Sequence, residues 1–161
     1  MSEPLITTAD PRRDDARPLL EQHPAFANLH SPRQDVHALD VQGLLDPAVT
    51  FFSARADGAL LAIGALKELD SAHGEVKSMH TVAAARGRGL ASAVLAHVVT
   101  VARGRGYARL SLETGTMDAF GPARAMYVGA GFEPCGPFAD YLLSPNSTFF
   151  TLALADLVTG A

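Results

Sequence analysis

One cysteine, Cys135, is all the chain has. That excludes an intramolecular disulfide, and no Cys/His pattern at metal-ligand spacing is present, so no metal is expected. Basic residues are not in excess. Thirteen Lys and Arg face 17 Asp and Glu, a net charge of −4, which leaves no electrostatic footprint for nucleic acid. No apolar run approaches roughly 18 residues, which excludes a membrane-spanning helix. The N-terminal stretch carries Glu3, Asp10 and Asp14 instead of a secretory signal. A soluble cytoplasmic protein is the expectation, with no membrane partner. The sequence also lacks GxxxxGK[ST], which disfavours a P-loop nucleotide hydrolase. What is present is ordinary: 161 residues, 48% hydrophobic and 19% charged. That predicts one globular domain, 1–161, able to bury a sizeable core.

The most informative stretch runs from Ser78 to Leu95. It reads as a strand, then the turn Arg86-Gly87-Arg88-Gly89, then a helix with Leu90, Val94, Val98 and Val101 at helical spacing. The two glycines let the turn present backbone N–H groups, and the helix dipole favours an anion there. Arg86 and Arg88 add positive charge at the same place. The turn predicts a phosphate site. A dinucleotide fold fits poorly: Gly87-x-Gly89-x-x-Ser92 lacks the third glycine, and Tyr107 to Leu112 hold no acidic residue.

The remaining chain divides at about residue 48. Before it, Leu5 to Thr8 reads as an edge strand, and Asp14 to Gln22 and Val36 to Leu45 as helices around an irregular, proline-broken stretch. After it, Val49 to Ala54 and Ala59 to Leu69 are strands joined by Asp57-Gly58, a strong two-residue hairpin signal. A turn over Asp70 to Gly74 leads into a strand from Glu75 to Val82. Alternation there places Glu75, Lys77, Met79 and Thr81 on one face and Val76, Ser78 and His80 on the other. A second Arg-Gly-Arg-Gly, 103–106, closes the long helix as a C-cap. Tyr107 to Thr114 is a strand parallel to the one before it if the crossover is right-handed. A loop over Gly115 to Gly121 leads to a helix starting at Pro122. A strand starts at Phe132-Glu133, and Ser147 to Leu154 is the last. The pattern predicts an α/β (α+β layered) class.

Two segments together resemble one family. Arg86-x-x-Gly89-x-Ala91 after a strand, and Ala123-x-x-x-Tyr127-x-x-x-Gly131-Phe132 downstream, are similar in order and spacing to the motifs of the GNAT N-acetyltransferases. The resemblance implies a mixed, mostly antiparallel sheet of about six or seven strands with helices on both faces and a parallel pair at the acyl-CoA site. It implies acetyl-CoA as cosubstrate, with no metal. Its pyrophosphate would lie on Arg86, Gly87, Arg88, Gly89, Leu90, Ala91 and Ser92. Its pantetheine would pair with the backbone of Met79, His80 and Thr81 like an added strand. Many members have an asparagine seven residues before the tyrosine; here Phe120 stands there, and Thr114, Thr116 or backbone groups are left for that contact.

The resemblance further implies direct acetyl transfer to an amine. Arg33, Lys67 and Lys77 could meet a carboxylate and no acidic run suits a polycationic acceptor, so a primary amine of a small, amino-acid-like molecule is expected. Glu75 is the candidate base, since an ammonium must lose a proton before it attacks; Glu68, His80, Glu113 or a water are alternatives. Tyr127 would protonate the departing thiolate, which a phenol of pKa about 10 does only with help from its site. His30, Arg33, Lys77 and Tyr141 are the candidate acceptor contacts, with residues 1–48 on the acceptor side and 49–161 forming the sheet and acyl-CoA core. His37, Lys67 and Asp140 are further polar candidates. Such proteins often form homodimers. A non-catalytic acyl-CoA-binding module or a nucleotide-binding protein are the rival readings.

Overall fold

The computed structural model describes residues 4–13, 15–16, 19, 44–116, 118–139 and 141–154. Seven strands form one sheet: β1 (Leu5–Thr8), β2 (Val49–Ala56), β3 (Ala59–Asp70), β4 (His73–Thr81), β5 (Arg109–Gly115), β6 (Glu133–Cys135) and β7 (Ser147–Ala153). Their order across the sheet is β1-β2-β3-β4-β5-β7-β6. All neighbours are antiparallel except β4 and β5. The described helices are α1 (Leu90–Gly104), which crosses from β4 to β5, and α2 (Gly121–Gly129). The expected class, edge strand and parallel crossover are all present. Most of 14–22 and 36–45, where two further helices were expected, lies outside the described residues.

Local chemistry sets the connections. Asp57 and Gly58 both have positive φ, 53° and 81°, as a two-residue hairpin turn of the primed type needs. The next turn is shorter than expected. β4 begins at His73, so only Ser71 and Ala72 link it to β3, and the Asp70 carboxylate accepts the Ala72 N–H at 2.8 Å. Pro122 is the second residue of α2, not its first, because Phe120 is the N-cap. The loop before it contains a single 3₁₀ turn at Asp118–Phe120.

Each face of the sheet buries its own cluster. Leu90, Val94, Leu95, Val98 and Ala102 of α1 pack on Phe52, Ala54, Ala62, Leu66, Val76, Leu110 and Leu112, and Tyr127, Phe132 and Phe150 extend the same core. On the opposite face Phe51, Ile63 and Ala65 pack with Ala16, Leu19 and Leu44.

One irregularity overturns the expected alternation of β4. Lys77 pairs with Ala65 and His80 with Ile63, so two residues of β4, Ser78 and Met79, stand opposite Gly64 alone. This is a β-bulge, and Ser78 has φ +58° in it. Directly paired residues share a face. Glu75 and Lys77 are therefore joined by His80 on the Ile63 face, while Met79 and Thr81 fall with Val76 on the α1 face. A Cβ on Gly64 would stand 2.6 Å from the Met79 sulfur and 2.8 Å from Val94 Cγ1. Only glycine lets Met79 enter the core there.

Candidate active site

The parallel pairing of β4 and β5 is short. His73, Gly74 and Glu75 face Arg109, Leu110 and Ser111, and the pairing ends there. Beyond it β4 continues to Thr81 along β3, while β5 continues to Gly115 along β7. The sheet thus opens into a split bounded by residues 76–81 and 112–115. At the β4 end of the split lies the Arg86–Gly89 turn. Gly87 and Gly89 have φ +80° and +77°, and Gly89 is the N-cap of α1. No side chain caps this helix, and its first turn has no acidic residue. Its first N–H groups have no acceptor within the helix. Arg86, Gly87, Arg88, Gly89 and Ser92 are exposed, Ala91 is half-buried and Leu90 anchors the turn in the core. The turn is accessible and has the uncapped N–H groups and arginines that an anion would need.

On the face away from α1, Glu75 is 3% exposed. Lys77 Nζ donates to Glu75 Oε2 at 3.1 Å and to the Tyr141 hydroxyl at 2.8 Å. Tyr141 in turn donates to the same Glu75 oxygen, and the Lys77 ammonium lies 5.4 Å from the Tyr141 ring centroid. Three side chains that the sequence keeps as far as 66 residues apart thus share one hydrogen-bonded group. Burial, then the Glu75 charge, pushes the Tyr141 phenol well above its usual pKa. Phe138 and Phe149 pack around Tyr141 with ring centroids 5.1 and 5.6 Å away. Behind Glu75 runs a polar row that sequence reasoning missed. His73 bonds Ser111 at 2.7 Å, Ser111 bonds Thr151 at 3.0 Å, and Arg109 donates to Thr151 at 3.0 Å. The period-2 spacing of His73 from Glu75 was the available signal.

Tyr127 approaches from the other face. It is buried in the α1-side core against Phe132 and Phe150. Burial, with the Glu113 charge second, pushes its phenol well above the ordinary value. Glu113 is half-buried on β5, just beyond the last pair with β4, and its charge acts on both Tyr127 and Tyr141. Thr114 follows it, half-buried and paired with Thr148. The Phe120 ring lies against the backbone of Gly115. Arg124, which sequence reasoning did not single out, donates to the Gly115 carbonyl at 2.6 Å; its place three residues before Tyr127 on one helix was the clue. Thr116 Oγ1 is occupied by the Pro145 carbonyl at 2.8 Å.

The other candidate bases have different surroundings. Glu68 is exposed and accepts the Tyr107 hydroxyl at 2.7 Å. His80 is half-buried, and burial, then Arg86, lowers its pKa. Burial raises the Cys135 thiol. His30, Arg33, His37 and Asp140 lie outside the described residues. Among the described residues no group of three His, Cys, Asp or Glu is placed to hold a metal, and no helix is long and apolar enough to cross a membrane.

Comparison with known proteins places the chain. The model of the acetyltransferase (GNAT) family matches residues 14–132. YsnE of Bacillus subtilis, described as an uncharacterized N-acetyltransferase, is 48% identical over 136 residues, 84% of this chain and 90% of that protein. YedL of Escherichia coli carries the same description and is 44% identical over 151 residues, 94% of this chain and 95% of its own. A crystal structure of a candidate acyl-CoA N-acyltransferase from Klebsiella pneumoniae superposes with a TM-score of 0.77 at 26% identity, covering 94% of this chain and 97% of that one. With the motif turn, the crossover and the split strands in the positions described, the chain is an acyltransferase and belongs to the GNAT acetyltransferase family.

Proposed function

We propose that the chain transfers an acetyl group from acetyl-CoA directly to a primary amine of a small, amino-acid-like molecule. The observation that carries this reading is the β4–β5 split, with an anion-binding turn at one end, Glu75 and Lys77 on one face and Tyr127 on the other. The pyrophosphate rests on the N–H groups from Arg86 to Ser92 and on the two arginines. The pantetheine pairs along Met79–Thr81 in place of the missing strand, with Thr114 on the far side. A backbone N–H at Met79 or His80 polarises the thioester carbonyl.

The acceptor amine loses a proton to Glu75, directly or through a water, and its nitrogen attacks the carbonyl carbon. As the tetrahedral adduct collapses, the C–S bond breaks, Tyr127 gives its phenolic proton to the sulfur and the nitrogen releases its second proton to water. Burial keeps that proton on Tyr127 until the sulfur leaves, and the phenolate is then reprotonated from solvent. The ion pair supports the acceptor class. Glu75 and Lys77 offer opposite charges 3.1 Å apart, which complements the ammonium and carboxylate of an amino acid.

Calorimetric titration with acetyl-CoA, NAD and ATP, on wild type and on Gly89→Glu, tests the cosubstrate. Acetyl-CoA alone should bind, and the substitution should abolish it, because a carboxylate replaces open space at an anion site. Binding of NAD or ATP instead would overturn the reading. For the chemistry, Tyr127→Phe should lower free-thiol release across a panel of amino acids and simple amines by about a hundredfold while leaving acetyl-CoA affinity unchanged. Unchanged turnover would remove Tyr127 from the mechanism.

A further inference from the structure

Three non-glycine residues have positive φ among the described residues: Asp57, Ser78 and Ala139. Asp57 sits at a hairpin tip and Ala139 in the connection between β6 and β7. Ser78 alone lies inside a strand, at the bulge position where glycine is the usual occupant. It carries a second penalty. The residue is 6% exposed, and its hydroxyl is out of reach of water with no hydrogen-bond partner. Buried hydroxyls normally find a partner. Ser53 and Ser147 also have unpartnered buried hydroxyls, but neither combines this with left-handed backbone. A glycine at 78 would remove both penalties at once, so serine is the expensive choice on folding grounds.

Location suggests what offsets this. Ser78 is three residues beyond the last β4–β5 pair and adjoins Met79, on the strand segment whose β5 neighbour has departed. Strained residues and orphaned polar atoms collect where a ligand completes the structure. We propose that the Ser78 hydroxyl completes its hydrogen bonding with the acyl donor, giving a hydrogen bond to the thioester oxygen alongside the backbone N–H. The hydroxyl keeps its proton throughout; it stabilises charge on oxygen and forms no covalent bond. A donor held away from water needs no desolvation when the acyl group arrives as the split opens around the pantetheine. This inference rests on the acetyl-CoA reading above.

Acetyl-CoA and CoA differ at the relevant oxygen, since CoA has none. Calorimetry on wild type, Ser78→Ala and Ser78→Gly should show CoA affinity unchanged in all three. Acetyl-CoA affinity should fall about three- to tenfold in both variants, the range for one lost hydrogen bond. Without ligand, Ser78→Gly should melt higher than wild type, by about 2–4 °C, because strain and orphan hydroxyl both disappear. A more stable protein that discriminates acetyl-CoA less well is the expected signature. An unchanged acetyl-CoA to CoA ratio in both variants overturns the role of Ser78 while the acetyltransferase reading stands. Failure of wild type to bind either compound overturns that reading, and this inference with it.

Discussion

Lys77 and Glu75 are two residues apart on β4, with side-chain exposures of 9% and 4%. A buried carboxylate deprived of its cation is costly, because desolvation is no longer offset. Lys77→Met should therefore lower unfolding free energy by about 3 kcal/mol in urea. Glu75→Leu added to it should recover most of that loss, and a double variant as unstable as the single would show that the pair matters for another reason. Alternation along the strand was enough to put these two residues on one face. It misplaced Met79, His80 and Thr81, because a bulge depends on the φ of Ser78 and on what stands across from it. Nor does local pattern join Tyr141 to Glu75. That contact depends on the route of the chain after β6.

At the scale of elements, punctuation was the readable part. Asp57-Gly58, Arg86 to Gly89 and the C-cap at 103–106 all fall where turn and cap chemistry put them, and Gly106 has φ +82°. Length was less legible. The second hairpin is three residues tighter than its Asp-Ser-Ala-His-Gly composition suggests, since Asp70 itself caps the turn. Packing of α1 on the sheet sets a limit that composition does not reveal. Val94 is fully buried and cannot retreat from a methyl group at position 64. Gly64→Ala should cost about 1–3 kcal/mol of stability. Trimming Met79 to Ala in the same chain should return only part of it, because the Val94 contact persists. Full recovery in thermal or urea unfolding would place the whole clash on the methionine.

Across the whole molecule, two of the three tyrosines in the chain, Tyr127 and Tyr141, have pKa values pushed well up, mainly by burial. In the unfolded chain both titrate near pH 10. Above that pH the folded state holds protons the unfolded state has lost, so stability must fall as pH rises. Urea midpoints should be flat to about pH 9 and decline above about pH 10, with tyrosinate absorbance appearing alongside unfolding. Tyr127→Phe should flatten the decline; an unchanged slope would mean other groups cause it. The crossover was within reach of sequence because it follows from motif order and handedness, whereas the insertion of β7 between β5 and β6 was not. Nor was it legible that Ala16, Leu19 and Leu44 cover the Phe51 face, because the pattern of 14–22 and 36–45 carries no signal of which strands they pack on.

Three rungs hold β4 to β5, and this makes the sheet mechanically uneven. Strands β1–β4 and strands β5–β7 are each laced along their length, whereas the seam between them is fastened at one end like a partly closed zip. On the acetyl-CoA reading proposed above, a cosubstrate lying in the opening would act as the missing teeth. The sheet would then become more nearly continuous across the seam when acyl donor is plentiful. At a hundred times its dissociation constant such a ligand adds about 2.7 kcal/mol. Hydrogen exchange should report that gain most strongly at the amides of residues 76–81 and 112–115, the two lips of the seam.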